Sequence, residues 1–302
     1  MLTDGPAEVL ALLGLQARTV TILKDVPLQN ASWLVTLTDG RRVVMRRYYA
    51  RATAASVSYE HAVLRYLADE GWVVPEPLGD LVEHQGRLYC LTRYVPGRAI
   101  REESAAQQRR RGRDLARLHF ALRGLAESLG QRPGSLAQHT GVAAHPDLDW
   151  DACIQGLMQV SPRLSSWLSA AASNARDALA ALGASELPVL VIHGDFAEWN
   201  VHYQRARLAG VIDFGLTHVD SRPYELAIAR TYRSPQMLAG YRAELSGGGW
   251  PLSELEEAAL EPLNCSFRVG MAAWTVQDGV RRGDYDLAMI ERQLARTGTS
   301  PP

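Results

Sequence analysis

The sequence predicts an α+β fold of two lobes, residues 1–94 and 95–302, the first a five-stranded antiparallel sheet plus one helix and the second mainly α-helical. Three observations carry this expectation. The N-terminal third alternates strand-type runs with tight-turn dipeptides, the rest is dominated by helical apolar spacing, and 302 residues exceed the length over which a single core keeps growing.

Residues 19–23, 32–38 and 42–48 are rich in Val, Leu, Thr and Tyr, and Asp39-Gly40 between the second and third runs is a hairpin signal. Thr53 is a candidate N-cap for a helix over 54–69, where Val57, Ala62, Val63, Tyr66 and Leu67 keep a helical period up to Gly71. After Pro75 and Pro77, runs 81–84 and 88–92 flank Gln85-Gly86, a second hairpin signal, which completes a βββαββ order. Beyond Tyr94-Val95-Pro96-Gly97, helical spacing covers about 104–122 and 162–182, with a polar stretch at 128–149 between them. Two apolar runs interrupt the helices, 188–192 ending at His193-Gly194-Asp195 and 208–212 ending at Asp213-Phe214-Gly215. Helices over 253–296 lead to a Thr-Ser-Pro-Pro tail expected to fray.

Composition narrows the functional classes. With 32 basic and 33 acidic residues the formal charge is −1, which lacks the positive field that nucleic-acid binders use for counterion release. Cys90, Cys153 and Cys265 are dispersed and odd in number, the pattern of reduced core thiols rather than of a disulfide framework or zinc site. Acidic Asp4 and Glu8 near the N-terminus and the lack of a long apolar run lead to the expectation of a cytoplasmic chain with neither signal peptide nor membrane contact. The expected assembly is a monomer or homodimer, a choice on which the residues do not bear. Lys24 is the sole lysine, so a site that ordinarily uses lysine must use arginine.

The chemistry sits in two acids at strand ends. Phosphoryl transfer needs a divalent ion on the phosphates, a carboxylate at the attacking hydroxyl and positive charge on the nucleotide. Asn200 follows Asp195 by five residues, the offset of a kinase catalytic loop, and Asp213-Phe214-Gly215 adds a second acid. A carboxylate and an amide carbonyl suit hard Mg²⁺, leaving Asp195 to accept or orient the hydroxyl proton.

Residues 193–200 together with Val211-Ile212-Asp213-Phe214-Gly215 resemble the signature of the aminoglycoside phosphotransferase and choline kinase-like family, small-molecule kinases with the bilobal fold of the protein kinases. The likeness extends to Val44-Met45-Arg46, Glu60, 91–97 and 115–119. It implies Asp195 as the catalytic acid-base residue, His193 as a brace of its loop, Asn200 and Asp213 as magnesium ligands, and ATP or GTP as phosphoryl donor. Alternation on strand 42–48 puts Val44 and Arg46 on one face, Val44 to cover the base and Arg46, paired with Glu60, to anchor phosphate; Arg47 takes this place if the register slips. The hinge at Thr92, Tyr94 and Val95 is expected to meet the base edge through backbone groups, which leaves ATP and GTP undivided.

Two departures stand out. The loop 25–32 has no glycine, so phosphate contact there falls to residues 30–32, and Glu225 stands before Leu226-Ala227 where the family typically has Asp supporting the catalytic loop. His119 reads as a core histidine, Arg109 to Arg113 as a solvated helix face, and Trp199 as either packing or pocket lining. The expected activity is O-phosphorylation of a small hydroxylated acceptor, first an antibiotic, alternatively an amino alcohol, a homoserine-like compound or a sugar. Candidate acceptor segments are 218–222, 128–149 and 263–278 with Trp274 and Asp278; their few acids, Asp147, Asp149, Asp220 and Asp278, tilt away from a highly cationic acceptor. A pseudokinase would lack one of Asp195, Asn200 or Asp213, a protein kinase would carry Ala-Pro-Glu and a Gly-rich loop, and a Walker-type NTPase would need a Gly-Lys pair. The hydrolase motifs HExxH and GxSxG are also missing.

Overall fold

The computed structural model describes residues 4–24, 30–134, 148–231 and 234–301. In chain order its elements are α1 (Asp4–Leu12), β1 (Ala17–Lys24), β2 (Ala31–Leu37), β3 (Arg42–Arg47), α2 (Ala54–Asp69), β4 (Val82–His84), β5 (Arg87–Arg93) and β6 (Arg98–Ala99). There follow α3 (Ala105–Leu122), α4 (Leu125–Leu129), α5 (Trp150–Val160), α6 (Pro162–Leu182), β7 (Val189–Ile192), β8 (Val201–Gln204), β9 (Arg207–Val211) and β10 (His218–Ser221). Helices α7 (Arg222–Ile228), α8 (Pro235–Gly247), α9 (Glu254–Arg282) and α10 (Leu287–Leu294) complete it. None of the described helices is long and apolar enough to cross a membrane.

The chain divides into two compact units, Met1–Arg101 with Glu198–Thr217, and Glu102–Ala197 with His218–Pro302. A linear cut at residue 94 therefore differs from the observed division. The reason is strand pairing: β8 pairs with β6 and with β9, so this hairpin belongs to the first unit.

In the first unit the antiparallel order β1-β2-β3-β5-β4 gives the expected five strands. Asp39 accepts the Arg41 N–H at 2.9 Å and Gly40 takes φ 88°, which closes the β2–β3 turn. At the β4–β5 turn Gln85 and Gly86 take φ 50° and 67°, the consecutive left-handed pair that a two-residue hairpin requires. Thr53 caps α2 by accepting the Ser56 N–H at 3.1 Å. One sheet face buries Trp33, Val35, Val43 and Met45 against Val9 and Leu10 of α1, a helix additional to the one expected in this lobe. Full burial of each such side chain is worth about 1.5–3 kcal/mol, enough to hold a helix this short on the sheet.

In the second unit, Ser104 and Gln107 form a capping box at the start of α3. A Cβ at Gly112 would meet Met237 O at 1.9 Å, and one at Gly240 would meet Arg109 O at 2.1 Å, so two glycines let the backbones of α3 and α8 touch. Pro162 opens α6 and Gly183, at φ 71°, ends it. Leu157, Leu168, Val269, Val276 and Ile290 join α5, α6, α9 and α10 in one core. Arg222 binds both oxygens of Glu256 at 2.6 and 2.5 Å, donates to the carbonyls of Trp250 and Pro251, and stacks on the Trp250 ring, which pins α7 to α9. Trp167 Nε1 donates to Thr299 O at 2.8 Å, which ties the start of the C-terminal tail to α6. Cys90, Cys153 and Cys265 are all free thiols, pushed up to about 11 by burial.

Candidate active site

Strand register organises the candidate residues of the first unit. Cross-strand partners share a sheet face, so Ser32, Arg46 and Cys90 form one row and Leu34, Val44 and Thr92 the next, on the face opposite Trp33 and Met45. Val44 and Arg46 thus lie on one face as the alternation predicts. Arg47 points the other way and stacks over Trp33, so the register does not slip. The Arg46 guanidinium is buried and forked: Nη1 lies 3.3 Å from Glu60 Oε1 on α2, and Nη2 donates to Asp213 Oδ1 at 2.9 Å. Burial works against its charge, but the Glu60 and Asp213 carboxylates prevail and hold the guanidinium ionised.

Asn200 and Asp213 flank the same end of the β8–β9 hairpin. Val201 pairs with Val211, and Ile212 N–H donates to Asn200 O at 2.9 Å, which sets Asn200 across from the residue just before Asp213. Asp213 takes φ 63°, ψ 58°, a left-handed conformation that Asp tolerates better than most L-residues. A Cβ on Gly215 would meet Arg46 Nη2 at 2.6 Å and both Asn30 Nδ2 and Asp213 Oδ1 at 3.4 Å. An amide donor, a guanidinium and a carboxylate therefore converge over this glycine. Asn30 Oδ1 accepts the Tyr49 N–H at 2.9 Å, and that bond fixes the amide with its NH₂ toward the cluster. Residues 30–32 are the described part of the glycine-free loop, and residues 25–29 lie outside the described residues.

In the hinge, Thr92 and Val95 are buried and Tyr94 is half-buried under the Arg42 guanidinium, 4.1 Å from its ring centroid. A Cβ at Gly210 would meet Val95 Cγ1 at 2.4 Å, so β9 passes directly beside the hinge.

The second unit holds His193 and Asp195. Strand β7 pairs with β10, Ile192 opposite His218, and the chain leaves it through Gly194 at φ 81°. Buried Glu225 accepts N–H groups from His193, Gly194 and Phe196 at 2.6, 3.1 and 3.4 Å, with the longer carboxylate arm serving where Asp was expected. His193 Nδ1 accepts the Asp195 N–H at 3.1 Å, which makes Nδ1 the unprotonated nitrogen. Burial alone would raise the Glu225 carboxyl; the His119 and His193 imidazoles and the Gly194 N–H more than offset it and hold it below the usual carboxylate range. His119 is a core histidine, bonded through Nδ1 to Tyr241 OH at 2.7 Å, and burial pushes its pKa down.

The remaining candidates divide. Asp149 caps α5 by accepting the Ala152 N–H, Asp278 pairs with Arg282 at 2.7 Å, and buried Asp220 accepts the Ser221 N–H and lies 3.5 Å from His218. Asp147 is outside the described residues. Trp199 is exposed. Arg111 corrects the reading of Arg109 to Arg113 as a solvated face, since it is 1 % exposed and donates to the carbonyls of Phe196 and Ala229. The signal was present: Arg111 shares the stripe of Leu115, Leu118 and Leu122.

A model described as "Phosphotransferase enzyme family" matches residues 26–256. The homoserine kinase of Phenylobacterium zucineum (strain HLK1) is 27 % identical over 296 residues, 90 % of this chain and 86 % of that relative. Among solved structures, amicoumacin kinase hAmiN in complex with AMP-PNP, Ca²⁺ and Ami superposes with a TM-score of 0.73 at 13 % identity, over 99 % of this chain and 95 % of the other. The microcompartment-associated aminopropanol kinase gives 0.66 at 18 % identity, over 98 % and 99 %. The fold is thus the protein-kinase-like fold that the paired motifs predict.

Proposed function

The chain belongs to the phosphotransferase enzyme family, and from that premise we propose that it transfers the γ-phosphoryl group of Mg-ATP or Mg-GTP to the side-chain hydroxyl of a small homoserine-like compound. The activity class, a small-molecule kinase with a hydroxyl acceptor, comes with the family. The acceptor rests on one observation, the likeness to a homoserine kinase along 90 % of the chain. This ranks the homoserine-like alternative above the antibiotic acceptor that the motifs alone put first, because the likeness to amicoumacin kinase, at 13 % identity, is one of fold.

The donor set at the β8–β9 end is a carboxylate and a side-chain amide, hard oxygen ligands that fit Mg²⁺. In this reading Asn200 and Asp213 hold the ion, which when bound neutralises and orients the phosphate oxygens. Arg46, kept charged by Glu60 and Asp213, faces the phosphates, and the Asn30 amide donates to them. Val44, with Leu34 and Thr92 beside it, supplies the apolar bed for the base, and the hinge at Tyr94 and Val95 offers backbone groups to its edge. Asp195 orients the acceptor hydroxyl and takes its proton. As the acceptor oxygen bonds to phosphorus, the bond from phosphorus to the bridging oxygen breaks, and its electron pair leaves with the nucleoside diphosphate. His193 and Glu225 fix the loop that carries Asp195.

The test is kcat/KM for L-homoserine, 1-amino-2-propanol, choline, an aminoglycoside and spectinomycin with Mg-ATP and Mg-GTP, each product identified by a phosphate-sized mass gain. The proposal expects homoserine to lead by about 100-fold or more, a difference of roughly 2.7 kcal/mol in transition-state binding. An antibiotic phosphorylated in preference to homoserine overturns the acceptor class and leaves the phosphotransferase assignment standing.

A further inference from the structure

Burying a guanidinium costs several kcal/mol in desolvation, and an ion pair inside a protein can often be replaced by apolar side chains at no cost in stability. The buried Arg111 therefore calls for an account beyond stability. Its Nε donates to both oxygens of Glu103, at 2.9 and 3.0 Å, and the two side chains are 1 % and 5 % exposed. Its Nη1 donates to Phe196 O at 3.3 Å and to Ala229 O at 3.2 Å. Phe196 directly follows Asp195, and Ala229 ends the helix that carries Glu225.

The segment 193–196 is consequently gripped by opposite charges through complementary backbone groups. Glu225 takes its N–H groups, and Arg111 takes the carbonyl of Phe196. The same guanidinium also ties Ala229 O, four residues after Glu225, so the cation fixes the anion's helix as well as the loop. Glu103 holds the guanidinium plane from its Nε side, which leaves Nη1 facing the two carbonyls. Lysine, a point charge on a flexible stem, lacks this planar fork. We propose that Arg111, held by Glu103, is a positioning residue of phosphoryl transfer, which fixes the backbone on the C-terminal side of Asp195 so that its carboxylate stands ready for the acceptor hydroxyl.

The proposal rests on the phosphotransfer reading, and turnover by the unaltered enzyme reports on that reading separately. The experiment compares the full-length chain with Glu103→Gln/Arg111→Met, which removes both buried charges together, and with Arg111→Lys. For each, kcat with the best acceptor, the Mg-nucleotide Kd, and hydrogen–deuterium exchange of the peptide spanning 193–200 are measured on protein shown folded by circular dichroism. A misplacement of the order of 1 Å costs about 100-fold in rate. The expected result is a kcat fall of about that size in the double variant, with Kd within about 3-fold of the unaltered enzyme and faster exchange across 193–200. Folded double variant with kcat within about 3-fold of the unaltered enzyme overturns it. Should the double variant fail to fold, Arg111→Lys decides: lowered kcat with unchanged Kd supports the assignment, and full kcat overturns it.

Discussion

Arg46 donates to Asp213 through Nη2 at 2.9 Å while its Nη1 lies 3.3 Å from Glu60, so one guanidinium spans a strand, a helix and the acid after the second strand end. In a chain whose only lysine is Lys24, this planar fork reaches two carboxylates from separate nitrogens, which a single ammonium does not offer.

Replacing the fork with a point charge tests its use. Arg46→Lys keeps the charge but puts all its donors on one nitrogen, where the guanidinium reaches Glu60 and Asp213 from two. Nucleotide affinity, measured by titration calorimetry, is expected to fall about 10-fold, roughly 1.4 kcal/mol, with thermal stability little changed.

Gly215→Ala probes the same cluster from below. Its backbone is outside the left-handed region, so alanine meets no backbone strain, and its Cβ would sit 2.6 Å from Arg46 Nη2. Arg46 is held by two carboxylates and cannot yield freely. The expected outcome is a Kd for Mg-nucleotide raised about 5- to 10-fold, read by the same titration.

Glu256→Ala should unmake the α7–α9 joint. It strands the buried Arg222 charge and removes half of a capping box. Loss of one partner of a buried pair costs about 3–5 kcal/mol, to be read as a lowered midpoint in urea with unchanged slope.

Stability should fall with acid through histidine first. Burial, and then the charges of Arg65 and Arg46, lower His61 from 6.5 to about 4. Between these values the unfolded chain binds a proton that the folded chain refuses, so stability is full above 6.5 and declines as pH falls toward 4. His119 adds to the same decline, and Glu225, depressed when folded, extends it below the usual carboxylate value. Melting temperatures from pH 7 to 4.5 should drop, and His61→Gln should flatten the slope; an unchanged slope contradicts this origin.

Much of this was legible because local chemistry and tertiary structure agree. The helix over 54–69 and the strand turns at Asp39-Gly40 and Gln85-Gly86 carry their caps and turn residues in the sequence, and they form where those residues stand. The β8–β9 hairpin did not announce itself: its turn is Arg205-Ala206, at φ 48° and 61°, a pair with none of the usual Asn or Gly. Without that hairpin in view, residues 198–217 looked like part of the helical lobe, whereas pairing with β6 carries them to the first unit. In the site, carboxylates and their spacing stood out, but Arg111 did not, because a charged residue on an apolar stripe discloses its role only when its carbonyl partners, 85 and 118 residues away, are known.

Asp195→Ala, with turnover and Mg-nucleotide Kd measured side by side, bears most directly on the division of labour between the acid at the hydroxyl and the residues that grip the nucleotide. The account predicts a Kd within about 3-fold of the unaltered enzyme and a kcat lower by about 1,000-fold or more, roughly 4 kcal/mol of barrier. A Kd that rises in step with the fall in kcat would mean that Asp195 holds the nucleotide, and would contradict it.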